Sequence, residues 1–177
     1  MIMKMKKLKK GQWGFSLIEL VIVIGITGLI AGGITLTIMQ VFNTDARTRN
    51  DMTAVYQVRQ AGKLVSQDVL QAQNVNPNNA TGSNGFPLVL NWTVSSTQYG
   101  VIYSLNGTGA LRTLWGQYYL NSTPSYSTKV AEYINSDQTK TRCDWDNVNR
   151  ILTFTVTATV SGQSETRVYQ VKPRPGS

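Results

Sequence analysis

The sequence predicts an α+β fold in which one long N-terminal helix packs on a C-terminal antiparallel β-sheet. Three observations predict it: an uncharged, mainly apolar run from Leu20 to Phe42, a polar segment with an apolar stripe at helical spacing, and a remainder in which apolar and polar residues alternate. In chain order, the predicted parts are a basic leader at 1–14, a transmembrane helix at 15–42, an amphipathic continuation of that helix at 43–75 and a β-rich head at 76–177.

The leader carries most of the excess positive charge. The chain has 177 residues, a formal net charge of +8 and 17 Lys and Arg residues. Removing the leader lysines leaves 12 basic residues against nine Asp and Glu, a net charge of only +3. A basic surface for nucleic acid is therefore not predicted for the head. The leader lysines are Lys4, Lys6, Lys7, Lys9 and Lys10.

The apolar run is long enough to cross a bilayer as a helix, which takes about 20 residues. Basic residues on its N-terminal side are typical of a cytoplasmic flank, so we expect a single-pass protein with an extracytoplasmic head. An ordinary secretory signal has a shorter apolar stretch followed by small residues at a cleavage site. Ala31-Gly32-Gly33 resembles such a site, but the apolar run continues to Phe42. A retained membrane anchor is therefore predicted.

Polar and small residues interrupt this run. Glu19 lies near its start, where a carboxylate is costly and usually has a partner. The plainest interpretation is a residue at the membrane surface that reaches back to water or to the lysines. Gly25, Gly28, Gly32 and Gly33 follow, and Gly28 and Gly32 have the GxxxG spacing that lets membrane helices approach closely. The Gly32-Gly33 pair is also a candidate bend.

The segment at 43–75 is predicted to continue the helix. Its apolar residues recur at steps of three and four, which gives one apolar stripe. Asn76-Pro77-Asn78-Asn79 is expected to stop it. A helix from Phe15 to Val75 would be roughly 90 Å long at 1.5 Å per residue. Lipid must cover its first half and a folded domain its second. The stripe comprises Val55, Val58, Ala61, Val65 and Val69.

The rest of the chain is predicted to form β-strands. Asn106-Gly107 is a strong turn signal, and Leu111–Leu120 is expected to pair back on the preceding strand. Ser161-Gly162-Gln163-Ser164 marks another turn, after which Arg167–Val171 returns. Lys129–Asn135 fits either a helical turn or a strand. A sheet packed on the stripe of the long helix is the natural architecture. Alternating patterns occur at 88–94, 99–105 and 152–160.

The stretch Gly14-Phe15-Ser16-Leu17-Ile18-Glu19, between a lysine-rich leader and a long apolar run, resembles the type IV prepilin leader, or class III signal. The resemblance covers roughly residues 4–42. It implies a pilin fold, cleavage after Gly14 by a prepilin peptidase on the cytoplasmic side, and N-methylation of Phe15. It also implies that Glu19 is the glutamate usual at the fifth mature position.

This resemblance implies a structural subunit and not an enzyme, namely a minor pilin or a J-type minor pseudopilin of type II secretion. The implied partners are other pilin or pseudopilin subunits, the prepilin peptidase, an inner-membrane assembly platform, and membrane lipid before assembly. Glu19 would neutralise the amine of Phe15 on a neighbouring subunit or on its own chain. The glycines of the helix would then serve helix contact or bending during assembly.

Three head residues are a calcium candidate. Asp144, Asp146 and Asn149 lie in what the sequence predicts to be a short polar loop, and oxygen ligands at alternating positions suit calcium. The alternative is a solvated turn. No other cofactor is predicted. Cys143 is the single cysteine and the chain has no histidine to activate it, so a quiet, partly buried thiol is expected.

Four aromatic residues of the head allow two interpretations. One is a sugar-binding or surface-binding face, and the other is ordinary core and strand packing, which the usual burial of such residues favours. They are Trp92, Trp115, Tyr118 and Tyr119.

An alternative function is a membrane-anchored extracytoplasmic enzyme or binding protein with a fortuitous prepilin-like start. Such an enzyme needs a site of convergent polar groups. The sequence offers no histidine and no clustered carboxylates beyond Asp144 and Asp146. The leader discriminates the two functions, because a pilin loses it at Gly14 and an anchored enzyme keeps it.

Overall fold

The computed structural model describes Gly14, residues 16–78 and residues 83–174. The chain divides between Asp45 and Ala46 into two compact units. A helix, α1, spans Leu17–Gln71, and an eight-stranded antiparallel sheet follows it, which confirms the α+β prediction. The strands are β1 (Asn74–Asn78), β2 (Gly85–Val94), β3 (Thr97–Asn106), β4 (Leu111–Leu120), β5 (Thr123–Asn135), β6 (Arg142–Asp146), β7 (Ile151–Val160) and β8 (Gln163–Val171).

The first unit contains the apolar part of α1. Every described residue from Gly14 to Asp45 is exposed in the isolated chain. Three threonines within the apolar run donate their hydroxyl hydrogens to the carbonyl oxygen four residues earlier, at 2.7 to 3.0 Å. These bonds satisfy polar side chains without water, which suits a helix in an apolar environment. The threonines are Thr27, Thr35 and Thr37.

In the second unit, the remainder of α1 packs on the concave face of the sheet. Six helix residues are buried there: Ala54, Val58, Ala61, Gly62, Val65 and Val69. The predicted stripe is confirmed at four of its five positions. Val55 is only half-buried and Ala54 takes its place in the core. The largest fully buried sheet residues that complete this core are Leu88, Leu90, Val101, Tyr103, Leu114, Ile134, Leu152 and Phe154.

The helix ends four residues before the predicted Val75. It stops at Gln71, and Asn74–Asn78 pairs with β2 as strand β1. The prediction was too long because it placed the helix end at the stop signal around Pro77, which lies inside β1. Ala72, just beyond the helix, is fully buried and continues the spacing of the stripe. Pro77 is tolerated because β1 lies at one end of the strand order, and an edge strand accepts a residue without a backbone donor.

The sheet is built mainly from hairpins between successive strands. β2–β3, β4–β5 and β7–β8 are joined by two-residue turns whose residues both have positive φ, as in type I′ turns. The predicted pairing of β4 with β3 is confirmed, with Gly116 opposite Tyr103. Lys129–Asn135 is part of strand β5 and not a helical turn. The turn residues are Ser95-Ser96, Asn121-Ser122 and Ser161-Gly162.

The sheet curls so that β6 lies beside the start of β2. The strand order is β1-β2-β3-β4-β5-β7-β6, and β8 pairs with β7. The amide of Cys143 in β6 donates to the carbonyl oxygen of Asn84 at 2.9 Å, just before β2 begins. Asp144 and Asp146 therefore belong to a strand, and the prediction of a loop at these two residues was wrong. Pairing with β7 keeps this polar stretch extended.

Gly62 of α1 lies directly against Tyr169 of β8. A Cβ at Gly62 would overlap the aromatic ring of Tyr169. The ring is fixed from two sides, because its hydroxyl donates to the carbonyl oxygen of Val58 at 3.2 Å and its face lies against Phe154, with ring centroids 6.3 Å apart.

Gly62→Ala is therefore expected to destabilise the head by about 2 kcal/mol, because the methyl group must displace the fixed ring. The usual effect of this change inside a helix is a gain of about 1 kcal/mol. Urea unfolding of the full chain in detergent, followed by tryptophan fluorescence, measures the difference. Gly33→Ala in the same helix is the control, because no atom of another described element lies within 4 Å of its added methyl group. A Gly62→Ala protein as stable as the wild type would contradict the packing.

Candidate processing and assembly site

The predicted cleavage site lies at the start of the described chain. Gly14 is exposed, and no described atom lies within 4 Å of the position of a Cβ there. An open backbone without a side chain suits entry into a narrow protease cleft. The leader residues 1–13 and Phe15 lie outside the described residues, so the methylation of Phe15 stays a prediction.

Ser16 begins the helix. Its carbonyl oxygen accepts the amides of Glu19 at 3.0 Å and Leu20 at 3.1 Å, which makes Ser16 the N-cap residue of α1. Ser16 and Glu19 have the spacing of a capping box, in which the acidic side chain supports the first turn. A negative charge in this turn is also favoured by the helix dipole. Glu19 is exposed, so its carboxylate is accessible to a partner as well.

The apolar segment of α1 has a continuous apolar surface that no other described part of the isolated chain packs against. Its side chains are largely exposed, with Leu17 at 81%, Leu29 at 79% and Leu36 at 71% of their maximum. The most apolar 18-residue window of α1 has a mean hydropathy of 2.4, and none of it is buried. The helix is long and apolar enough to cross a membrane and is compatible with a single membrane anchor.

The four glycines of this segment have open surroundings. No described atom lies within 4 Å of the Cβ position of Gly25, Gly28, Gly32 or Gly33. The helix runs through all of them without interruption. The fold of the isolated chain therefore gives no packing reason for these glycines, and their roles in helix contact or bending stay predictions.

A carboxylate links the helix to the sheet in the second unit. Oδ2 of Asp68 accepts the hydroxyl hydrogens of Tyr103 at 2.6 Å and of Tyr118 at 2.9 Å. Burial and the Asp68 charge raise the pKa of Tyr103 far above its usual value of 10.0, and burial raises the pKa of Tyr118 to about 12. The sequence analysis missed this link. Its only local signal is that Asp68 follows Val65 by three positions and so falls beside the buried stripe.

The raised pKa values of these two tyrosines predict that the head loses stability at alkaline pH. Both phenols have folded-state pKa values above the unfolded value of about 10, so the unfolded chain releases their protons first. The contribution of both is complete below about pH 10 and falls as the pH rises. The Tyr118 part is lost through about pH 12, its folded-state pKa, and the Tyr103 part continues to fall beyond that pH. Urea midpoints measured at several pH values between these limits should fall steeply for the wild type. They should fall less for Tyr103→Phe/Tyr118→Phe, and equal slopes would contradict the prediction.

The four aromatic residues considered above fall on opposite faces of the sheet. Trp92 and Tyr118 pack against the core under α1. Trp115 and Tyr119 alternate with the buried Leu114 and Gly116 along β4 and therefore face away from the helix. Core packing accounts for the first pair only, and the outer pair is half-exposed.

The carboxylates of the calcium candidate have partners within the chain. Asp144 pairs with Arg142 at 2.7 Å. Oδ1 of Asp146 accepts the amide of Val148 at 2.8 Å, and Oδ2 accepts the side-chain amide of Asn149 at 2.7 Å. The Asn149 side chain and backbone hold the pKa of Asp146 below its usual range. Among the described residues, no group of three or more His, Cys, Asp and Glu side chains is arranged to hold a metal ion. Calcium binding stays a prediction.

Cys143 of β6 is buried where this strand lies against the start of β2. Its exposed fraction is 3%, and burial raises the pKa of its thiol well above the usual value. A thiol in this state is a poor nucleophile. The residue is more buried than the sequence analysis expected.

Comparison with known families supports the reading of the first residues. Residues 9–35 match the family model described as the prokaryotic N-terminal methylation motif. The match spans the end of the leader, the Gly14–Glu19 stretch and the first part of α1. Comparison with curated proteins and with solved structures gives no match. The chain therefore carries a type IV pilin-like prepilin signal.

Proposed function

We propose that this chain is a structural subunit, a minor pilin or pseudopilin, of a type IV pilus or a type II secretion pseudopilus. In this proposal the prepilin peptidase cuts between Gly14 and Phe15, and the new amine of Phe15 is methylated. The subunit is anchored in the membrane before assembly and enters the fibre through α1 at the inner-membrane assembly platform. Its role is structural and not catalytic.

The observation that carries the proposal is the methylation motif at residues 9–35, which runs directly into an exposed apolar helix. A prepilin leader of this kind implies processing by the peptidase and assembly with other subunits. The helix supports assembly with other subunits. The part of α1 in the first unit is exposed throughout in the isolated chain and needs lipid or neighbouring helices to cover it.

The charges suit one orientation. The lysines of the leader would stay in the cytoplasm by the positive-inside rule, and the head would lie on the other side. Cleavage after Gly14 would remove these lysines and leave the apolar helix whole. The free amine at Phe15 and the carboxylate of Glu19 would then be the main charges at the end of the anchor, and pairing between them would make their burial tolerable.

Intact mass and N-terminal sequencing of the protein from membranes, with and without its cognate prepilin peptidase, test the proposal. We expect a chain that begins at methylated Phe15 only when the peptidase is present. Gly14→Val should keep the leader, because the β-branched side chain obstructs the cleft, and Gly11→Val is the matched control that should be processed normally.

A leader retained in both membrane samples, or a cut near Gly33, would contradict the proposal. Retention would favour the alternative of an anchored extracytoplasmic enzyme or binding protein.

A further inference from the structure

A small cavity opens on the face of the sheet that points away from α1. Tyr103 bonds to Asp68 of the helix, so the alternate residues Gly100 and Ile102 of β3 face outward. Gly100 forms the floor of the cavity, whose volume is about 280 Å³. This is just below the range of about 300–1,000 Å³ that holds drug-sized ligands, so the space suits a single ring.

Three neighbouring strands bring complementary groups to this floor. Asn91 of β2 lies directly opposite Gly100, and Tyr119 of β4 lies opposite it on the other side. Val89 and Ile102 form the next cross-strand pair and give the cavity an apolar wall. The cavity thus has an amide on one flank, a phenol ring on the other and aliphatic groups between them.

Gly100 is needed for this arrangement. A Cβ at Gly100 would lie 2.7 Å from Oδ1 of Asn91, closer than real Cβ contacts come. Any side chain there would fill the floor and push the amide away. The φ of Gly100 does not lie in the left-handed region, so the backbone places no demand for glycine, and space is the only reason for it that the structure shows.

Two polar side chains at the floor of the cavity are available. Within the described chain, neither the side-chain amide of Asn91 nor the hydroxyl of Tyr119 makes a hydrogen bond to another residue. Gln98 and Ser122 lie at the rim, where the hydroxyl of Ser122 donates to Oε1 of Gln98 at 3.4 Å and the side-chain NH₂ group of Gln98 adds a donor. None of the described lining residues carries a charge. The cavity therefore offers donors and acceptors for hydroxyl groups but nothing that favours an ion.

We propose that this cavity binds a single neutral sugar ring. A sugar ring has an apolar C–H face and an edge of hydroxyl groups. The C–H face matches the aliphatic wall and the phenol ring of the cavity, and the hydroxyl groups match its side-chain amides. An anionic or cationic ligand would lose its hydration here without gaining a counter-charge. The inference does not depend on the proposed assembly function, because it concerns only the second unit.

The test is a titration of the full chain, ¹⁵N-labelled, in a phosphocholine detergent that carries no sugar headgroup. The probes are glucose, galactose, N-acetylglucosamine and N-acetylgalactosamine, each added separately into the millimolar range. We expect at least one sugar to shift the backbone amide of Gly100 and the side-chain amide of Asn91 in a saturable way. Resonances of the core near Tyr103 should stay in place.

Variants separate this site from unspecific binding. Asn91→Ala and Tyr119→Ala should each weaken the affinity at least about tenfold, which is the loss of about 1.4 kcal/mol of binding free energy. Tyr119→Phe keeps the ring and tests the hydroxyl if the alanine variant does not fold. Gln117→Ala, on the same outer face but outside the cavity, is the matched control and should bind like the wild type.

Two results would overturn the inference. One is the absence of a saturable shift with every probe, as expected if another subunit and not a sugar fills the cavity. The other is an affinity that stays unchanged in folded Asn91→Ala and Tyr119→Phe or Tyr119→Ala proteins.

Discussion

Gly85→Ala is expected to destabilise the head by about 3 kcal/mol, the largest loss of stability among the single glycine changes in this fold. Gly85 has a φ of +80°, where an L-residue pays about 1–2 kcal/mol. A Cβ there would also overlap the carbonyl oxygen of Cys143 and lie 2.8 Å from its Cβ. Relief of this overlap by a shift of β6 adds a cost of about 1–3 kcal/mol.

The backbone near Gly85 has little freedom to relax. The amide of Cys143 bonds to the carbonyl oxygen of Asn84, so β6 is fixed against the start of β2 at the same point. Phe86, the next residue, packs edge-on against Phe154 in the core. A shift that makes room for a methyl group must therefore break the hydrogen bond that closes the curl of the sheet.

Urea unfolding of the full chain in detergent, followed by tryptophan fluorescence, measures this loss, with the free energy taken from the linear extrapolation. Gly162→Ala is the matched control, because Gly162 has a similar φ of +86° but no atom of the described part of the chain within 4 Å of the added methyl group, its chain neighbours aside. It should lose only the backbone cost of about 1–2 kcal/mol. Equal losses in the two variants would show that β6 does not press against β2 as described.

The parts of the fold that local patterns determine were predictable. The stripe that includes Val58, Val65 and Val69 repeats at helical spacing, and the alternation of Leu152, Phe154 and Val156 marks β7 as a half-buried strand. Both signals arise because one face of each element is buried and the other is not. Of the three two-residue turns, only the one at Ser161-Gly162 lies in a predicted turn, and β8 already begins at Gln163 inside that prediction. The turns at Ser95-Ser96 and Asn121-Ser122 carry weaker local signals and were not predicted.

The helix end, β1 and β6 were not predictable in this way. Ala72 continues the buried stripe by one step although the helix has already ended at Gln71. β1 contains Pro77 and three asparagines, and β6 is largely polar, so neither has strand propensity of its own. Pairing with β2 and β7 holds them extended, and such pairing is a tertiary effect that a linear pattern does not contain.

The candidate sites differ, for the same reason, in how far the sequence alone predicts them. Gly14 and Glu19 belong to one contiguous stretch inside the matched methylation motif, so a linear pattern is enough to propose them. The link from Asp68 to Tyr103 joins residues 35 positions apart. The cavity at Gly100 depends on the register that places Asn91 and Tyr119 on either side of it. Neither follows from local spacing, because each needs the sheet to be assembled first.

Glu19→Gln is expected to leave processing intact and to reduce incorporation into the fibre by more than about 100-fold. In the proposed assembly, Glu19 neutralises the amine of Phe15 on a neighbouring subunit or on its own chain. Loss of one partner leaves an uncompensated charge in a region without water, which costs about 3–5 kcal/mol. Each 1.4 kcal/mol changes an association constant about tenfold.

Glutamine is the informative substitution because it separates two roles of Glu19. Ser16 and residue 19 form capping-box spacing, and a capping box accepts glutamine as well as glutamate. Glu19→Gln therefore keeps the helix start and removes only the charge. Helix content measured by circular dichroism in detergent should be unchanged, and mass spectrometry should still find the chain beginning at methylated Phe15.

The ratio of sheared-fibre to membrane-bound subunit, measured by quantitative immunoblot, gives the effect on assembly. Asp51→Asn is the matched control, because Asp51 is an exposed carboxylate of the same helix that lies beyond the apolar run, and its loss should leave the ratio unchanged. Normal incorporation of the Glu19→Gln protein would restrict Glu19 to capping its own helix. The glycines at 25, 28, 32 and 33 would then be the next candidates for setting the helix register.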